Sequence, residues 1–257
     1  MKRVVVKVGT HVLSEQNRLC KERILNLVEF LVNLMEKYEV ILVSSGAVAA
    51  GYSTLKLDKS VLNNRQAIAA VGQPQLIAMY NKKLEKFGKS GAQLLLTADD
   101  FDSRKRTRYA KCTIDTLIQN GILPIINEND ATATEELVFG DNDQLSSRVA
   151  YYFDADMLIL LSDIDAYYDK DPNKNSDAVA RKVVFAIEED DLITEKNPNY
   201  MFATGGIVTK LKAADFLLKK GRSMFIASGF DLSDIESYML QGVHKGGTLF
   251  TCENLSK

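Results

Sequence analysis

Residues Ile122–Ser146 read ILPIINENDATATEELVFGDNDQLS. The apolar run Ile122–Ile126 has the length and composition of a buried strand in a parallel sheet. From Asn127 the chain turns polar, with several Asp and Glu residues, Asn127, Asn129 and Asn142, and a single glycine, Gly140. Leu145–Phe153 then reads as a helix. A polar loop at the carboxyl end of a parallel strand is where open α/β sheets bind ligands. Carboxylates accept from an ammonium group and amide nitrogens donate to a carboxylate, so this loop holds the groups that grip an amino acid. A solvated acidic loop would have the same composition, and the flanking segments decide between the two.

Toward the amino terminus, Arg3–Val8 is a β-branched run closed by Gly9, in VKVGTHVLS. A lysine in a buried strand is costly unless its ammonium reaches a partner or ligand at the strand end; on an edge strand Lys7 would face solvent. Gly9 permits a turn that brings amide N–H groups near an anion. His11 reads as a loop side chain, outside any His, Cys or carboxylate pattern that would bind metal. Lys21–Tyr38 carries an apolar stripe at helical spacing. Val40–Val43 is a strand, followed by SSGAVAAGYS. Strand, Ser-Ser-Gly and a small-residue helix start suit an anion, and the small residues equally suit close helix–sheet packing. Neither GxxxxGK[ST] nor GxGxxG occurs, which excludes a Walker loop and a dinucleotide fingerprint. Asn63–Phe87 is helical, with a kink or break expected at Gly72-Gln73-Pro74 because Pro74 removes a helix donor. Ala92–Leu96 is a strand. Arg104, Lys105, Arg106, Arg108 and Lys111 open the next helix as a solvated face, with Tyr109 as the aromatic among them.

Toward the carboxyl terminus, Met157–Leu161 is a strand with Ser162 and Asp163 at its end. The Asp- and Asn-rich remainder of SDIDAYYDKDPNKNSD is expected to be a mobile loop. Val183–Val184 and Leu192–Ile193 are expected as peripheral strands, and Glu188–Asp191 as a charged turn. In ATGGIVTKLKAADFLLKKG, the turn Thr204-Gly205-Gly206 enters a helix with Lys210 near its start, and Lys212, Lys219 and Lys220 on the solvated face. Arg222–Ala227 is a strand, Asp231–Leu240 a helix with Ser233 as a cap, and Gly246–Phe250 a turn into a last strand. Strands and helices alternate, with no repeat, low-complexity segment or long linker. The pattern is one parallel-sheet α/β domain over residues 1–257, covered on both faces.

With 257 residues, 46% hydrophobic and 26% charged, the chain can bury a full core without staples. Its net charge of -2 supplies no global field for nucleic acid or an acidic membrane. Three dispersed cysteines fit neither a disulfide framework nor a zinc site, which points to reduced thiols in the cytoplasm. The start is too short in apolar residues for a signal peptide, and no apolar run reaches the roughly 18 residues of a membrane span.

Glycine turns at strand ends, two lysines from opposite ends of the chain and an acidic, amide-rich loop suit phosphoryl transfer from a nucleotide to a small substrate. Such catalysis is mostly positioning and charge stabilisation. In order, VKVGTHVLS, VSSGAVAAG, NENDATAT, FGDNDQLS, LLSDIDAYYDKDP, TGGIVTKLKAA and GTLF resemble the motifs of glutamate 5-kinases, within the amino acid kinase family. NEND followed by GDND is the most specific part. The resemblance spans nearly the whole chain. It implies a three-layer αβα sandwich with a mostly parallel sheet of about eight strands, and ATP- and Mg²⁺-dependent phosphorylation of the L-glutamate side-chain carboxylate, the first step toward proline. It makes Lys7 and Lys210 the transition-state lysines and Asp143 the group that orients them. Ser45, Asp130 and Asn142 would bind glutamate. Lys7, Gly9, Ser162, Asp163 and the turn Thr204, Gly205, Gly206, Ile207, Val208, Thr209 and Lys210 would meet the nucleotide, with Gly9 and Gly46 offering N–H groups to phosphate.

The resemblance further implies feedback inhibition by proline at or over the glutamate site and a homo-oligomer, dimer or tetramer; Ala131–Gly140 is the segment expected to carry both. Many bacterial members add an RNA-binding-type PUA domain. The sequence stops near where the kinase domain would end, so neither that domain nor a nucleic-acid or membrane partner is expected. Ser162 stands where Thr is frequent, and Ala166 where Gly is usual. Alternatives are a sibling kinase acting on uridylate, acetylglutamate, aspartate or carbamate, or a non-catalytic sensor of nucleotide or amino acid. A nucleotide acceptor would call for cations beyond the two lysines, and a sensor would lack Lys7, Asp143 or Lys210. The γ-carboxylate of glutamate has a pKa of about 4.3 and needs no general base; the two histidines, His11 and His244, supply no convincing one.

Overall fold

A β-branched run without a polar break favours extended chain, and Arg3–Val8 forms strand β1 in the computed structural model. The structure describes residues 1–16, 18–132, 142–172, 174–193 and 206–252. After β1 come a short helix α1 (Thr10–Leu13) and a hairpin of β2 (Ser14–Glu15) and β3 (Arg18–Leu19). Helix α2 (Lys21–Met35) leads to β4 (Glu39–Ser44), α3 (Ala47–Tyr52) and α4 (Leu62–Leu84). Then follow β5 (Ser90–Leu96), α5 (Ala98–Asp102), α6 (Arg104–Gln119) and β6 (Ile122–Glu128). Helix α7 (Asn142–Tyr152) precedes β7 (Met157–Ser162) and β8 (Val183–Val184). The last elements are α8 (Ile207–Lys219), β9 (Ser223–Ser228), α9 (Ser233–Glu236) and β10 (Thr248–Phe250).

The main sheet has eight strands in the order β5-β6-β4-β1-β7-β9-β10-β8. All its pairings are parallel except β10 against β9. Side chains alternate across a strand, and that alternation divides the core in two. Val4, Val6, Val8, Leu42, Ile125 and Ile159 pack with residues of α1, α2, α3, α4 and α9. Val5, Ile41, Val43, Ile126, Leu158 and Leu160 pack with residues of α5, α6, α7 and α8. The result is the expected αβα sandwich. Among the described residues, no helix is long and apolar enough to cross a membrane. The three thiols are unpaired.

Several expectations need correction. Helix α4 runs unbroken through Pro74. It is braced on one side by backbone contact with α3: a Cβ on Gly72 would stand 1.8 Å from the Ala47 carbonyl oxygen, and one on Gly51 1.9 Å from that of Ile68. On the other, Leu76, Tyr80 and Leu84 are buried in the core. Core packing on this scale outweighs one missing helix bond. Leu192–Ile193 is not a strand, because Leu192 closes a single 3-10 turn, Glu189–Leu192. The helix expected over Asp231–Leu240 is present from Ser233, with α9 (Ser233–Glu236) running without a break into a π turn at Ser237–Gln241. Ser233 is not its cap; its own N–H donates to the Asp231 carboxylate at 2.9 Å. The polar segment after β7 is tied down by pairing of Tyr168 with Ala180 and by the Tyr167 N–H, which donates to Thr248 Oγ1 at 2.8 Å.

Candidate active site

Strand β1 lies inside the sheet between β4 and β7, so Lys7 is not an edge residue. It has the parity of Val5, which directs its side chain to the α7–α8 side. Asp143 waits there on the first turn of α7, fully buried. Lys7 Nζ pairs with Asp143 Oδ1. Lys210 Nζ, from the first turn of α8, donates to Asp143 Oδ2 at 3.1 Å. Thr209 Oγ1 also stands 3.1 Å from Oδ2. Lys7 and Lys210 are 5% and 4% exposed, which shows how completely the pair of cations is withdrawn from water. Burial alone would push the Asp143 carboxyl up; the two ammonium groups outweigh it and hold the carboxyl below the usual range. Gln144 Nε2 donates to the Thr209 carbonyl at 3.3 Å, fastening α7 to α8.

Asn142, the neighbour of Asp143, turns to the opposite half of the site. Its Nδ2 donates to Ser45 Oγ at 2.7 Å and to Asn127 Oδ1 at 2.9 Å. Ser45 follows β4, and its N–H donates to the Val8 carbonyl at 3.2 Å, which fixes it beside the end of β1. Gly46 has φ 109°, a left-handed conformation that requires glycine here. Asn127, at the end of β6, has the parity of Ile125 and so faces α4. Its Nδ2 donates to Gln73 Oε1 at 2.8 Å. The two halves thus meet along the carboxyl ends of the strands: amides and a hydroxyl on the α3–α4 side, two lysines and a carboxylate on the α7–α8 side.

Ser162 and Asp163 end β7, and Ser162 Oγ donates to Asp163 Oδ1 at 2.8 Å. Burial pushes the Asp163 carboxyl up; the Ser162 hydroxyl, Lys210 and His11 more than offset it, and the net shift is downward. Serine in place of threonine therefore keeps the hydroxyl in use. Ala166 is buried and is not among the residues with positive φ, so the missing glycine leaves no strain. Asp130 lies just past β6 and is partly buried. Burial raises its pKa to about 6, against the opposing charge of Arg65.

Lys7, Asp143 and Lys210 are brought together, as are Ser45 and Asn142. Gly9 follows β1, beside Lys7. Its φ of -78° is ordinary and its N–H donates to the Leu161 carbonyl at 3.3 Å. A Cβ here would make only ordinary contact, 3.8 Å from Lys7 Nζ, so neither its backbone angle nor crowding requires glycine. Ile207 and Val208 are buried in the α7–α8 core, so their side chains serve packing. Gly206 ends the turn before α8. Thr204 and Gly205 lie outside the described residues, as does the Ala131–Gly140 segment from residue 133 on. Sequence reasoning missed Gln73, noticed only as part of a helix breaker, and gave Asn127 no separate role.

The sequence profile of the amino acid kinase family matches residues 2–228. A glutamate 5-kinase of Wolinella succinogenes is 54% identical, over 97% of this chain and 98% of the relative. A glutamate 5-kinase of Leishmania donovani is 53% identical, over 97% of this chain and 95% of its own. In fold, the chain is similar to the carbamate kinase from Giardia lamblia bound to AMP-PNP, with a TM-score of 0.67 at 17% identity, over 98% of this chain and 99% of the other.

Proposed function

The chain belongs to the amino acid kinase family, among the glutamate 5-kinases, and on that premise we infer how its residues share the work. It phosphorylates the side-chain carboxylate of L-glutamate with ATP, giving L-glutamyl 5-phosphate, the first step of proline biosynthesis. The single observation that carries the assignment of residues is the buried Asp143, which holds Lys7 and Lys210 together beside the amide-lined recess of Ser45, Asn127 and Asn142.

A γ-carboxylate oxygen attacks the γ-phosphorus of ATP. The bond from that phosphorus to the bridging oxygen breaks, and its electron pair leaves on ADP. With a pKa of about 4.3 the nucleophile is already ionised at neutral pH, so no proton has to move. The obstacle is repulsion between the carboxylate and the phosphates. Lys7 and Lys210 neutralise it in a site withdrawn from water, where such charges act most strongly. Asp143 prevents the two ammonium groups from repelling one another. Ser45, Asn142 and Asp130 hold the amino acid, Asp130 against its ammonium. Ser162, Asp163 and the turn into α8, residues 204–210, face the nucleotide.

Mg²⁺ would come with the nucleotide and offset phosphate charge; such an ion commonly keeps several waters and binds phosphate oxygens with one or two carboxylates. Among the described residues no three His, Cys, Asp or Glu side chains converge as a separate cage. Residues 1–257 act as one kinase domain, in the cytoplasm. Inhibition by proline and assembly as a dimer or tetramer extend the reading on the likeness of the motifs.

One prediction follows from Asp130. Its carboxyl must be ionised to receive the substrate ammonium, and its pKa in the empty site is about 6. The KM for glutamate should be flat above neutrality and rise about tenfold per pH unit well below that value. Asp130→Asn should raise KM and abolish this pH dependence; initial-rate series at several pH values check both.

The reading as a whole is tested by ADP release with Mg²⁺-ATP and L-glutamate, L-aspartate, N-acetylglutamate or UMP, with hydroxylamine present to trap an acyl phosphate. Glutamate-dependent ADP release matched by hydroxamate is the expected result. Turnover with another acceptor and not with glutamate would overturn it.

A further inference from the structure

The side-chain amides of the α3–α4 half form a chain whose direction is set by one backbone group. The N–H of Glu128 can only donate, and it donates to Asn127 Oδ1 at 2.9 Å. Asn142 Nδ2 meets the same oxygen at 2.9 Å. Asn127 Nδ2 therefore faces the other way, toward Gln73, and a nitrogen donor needs an oxygen there. Gln73 supplies Oε1 at 2.8 Å. The orientation of the Gln73 amide is thereby fixed, and its Nε2 is left as a buried donor with no hydrogen-bond partner among the described residues. Among the described residues it is the side-chain polar atom left in that condition. Gln73 is 8% exposed, too little for bulk water to satisfy the group in passing.

A buried donor without an acceptor is costly, and a protein that keeps one usually has a use for it. Position suggests the use. The α4 backbone at Gly72 lies against Ala47, two residues past Ser45. Gln73 thus joins Ser45, Asn127 and Asn142 on the α3–α4 side, across the strand ends from Lys7 and Lys210. An amino acid whose γ-carboxylate points toward the transferring phosphoryl group beside the lysines has its α-carboxylate on the side away from them.

We propose that Gln73 is a specificity-determining residue whose Nε2 donates to the α-carboxylate of the bound amino acid. The inference rests on the reading that Ser45 and Asn142 line the glutamate site. It gives the enzyme a reason to distinguish an α-amino acid from an acid that lacks the α-carboxylate, because only the former satisfies the buried donor.

Two substitutions separate substrate contact from simple support of Asn127. Gln73→Glu keeps an oxygen to accept from Asn127 but places an acceptor, charged when ionised, where the donor was. Gln73→Met removes both functions at similar volume, which cores tolerate best. Gln73→Met should raise the KM for L-glutamate about 10- to 100-fold, the weight of one hydrogen bond to a charged group, and Gln73→Glu should raise it further, with kcat in both within about threefold of wild type. Wild-type KM in Gln73→Glu would overturn the proposal, showing that Gln73 only props Asn127. Ser45→Ala runs alongside. If Ser45→Ala leaves KM unchanged, the glutamate-site reading itself fails; if it raises KM while the Gln73 variants do not, only this inference fails. Should both Gln73 variants unfold, the wild-type protein decides. In ¹⁵N-labelled enzyme the Gln73 side-chain amide resonance should move on adding L-glutamate and stay in place on adding 4-aminobutyrate, which lacks the α-carboxylate. Equal movement with both, or none with either, would overturn the proposal.

Discussion

Alanine in place of Asp143 is expected to lower the stability of the fold by about 3–5 kcal/mol, the usual cost of leaving buried charge uncompensated, and to reduce kcat by at least a hundredfold. The carboxylate is fully buried and engages Lys7 and Lys210 at once. Without it two ammonium groups face each other away from water, and neither is held where the transferring phosphoryl group needs it. The unfolding midpoint in urea measures the first effect and initial rates the second. Removing one of the repelling cations in the same background, as in Asp143→Ala with Lys7→Met, should restore part of the stability and none of the activity. A loss under about 1 kcal/mol for Asp143→Ala would show that the pair is screened like a surface contact. The pH dependence has a definite sign. Because the folded-state pKa of Asp143 is depressed, its contribution is fully present above the unfolded pKa of about 3.9 and is lost as pH falls through the folded value. The stability gap between wild type and Asp143→Ala should therefore close in acid.

Lys7→Ala is the second large effect, a fall in kcat of about a hundredfold to a thousandfold with little change in the KM for glutamate. The lysine lies on the α7–α8 side, whereas the amides proposed to hold the amino acid lie on the other. Its loss should therefore remove charge stabilisation during transfer and leave binding of the acceptor intact. Asp143 would still hold Lys210 at 3.1 Å, so the fold should suffer less than from loss of the carboxylate. Lys210→Ala should behave similarly. Near-wild-type turnover in either variant would remove that lysine from the mechanism.

How much of this was legible in the sequence differs by element. The apolar runs at Arg3–Val8, Val40–Val43, Ile122–Ile126 and Met157–Leu161 announced the central strands, because strands buried on both faces carry their signal in every residue. The sequence could not say whether Lys7 was buried or exposed. That depends on β1 being sandwiched between β4 and β7, a fact of topology. The hairpin of β2 and β3 was too short for periodicity to register. Strand β10 was foreseen, but its antiparallel direction against β9 was not read from the sequence. At Gly72-Gln73-Pro74 local propensity pointed to a kink or a break, and contact with α3 accompanies a helix that does not break. The same emphasis on breaking the helix hid Gln73, whose importance rests on a partner in β6, Asn127, far away in sequence. The motif residues Lys7, Ser45, Asn142, Asp143 and Lys210 were all singled out in advance. The resemblance gave Asn142 to the amino acid and Asp143 to the lysines; that these neighbours reach opposite sides of the strand ends is a fact of the fold.

The central claim is that a carboxylate oxygen of glutamate attacks the γ-phosphorus directly. L-glutamate labelled with ¹⁸O in its side-chain carboxylate, turned over with Mg²⁺-ATP in the presence of hydroxylamine, tests it. Hydroxylamine attacks the carbonyl carbon of the acyl phosphate, and the bridging oxygen leaves with phosphorus. Each inorganic phosphate released should carry one ¹⁸O. Unlabelled phosphate would mean that water had been phosphorylated instead, and would contradict it.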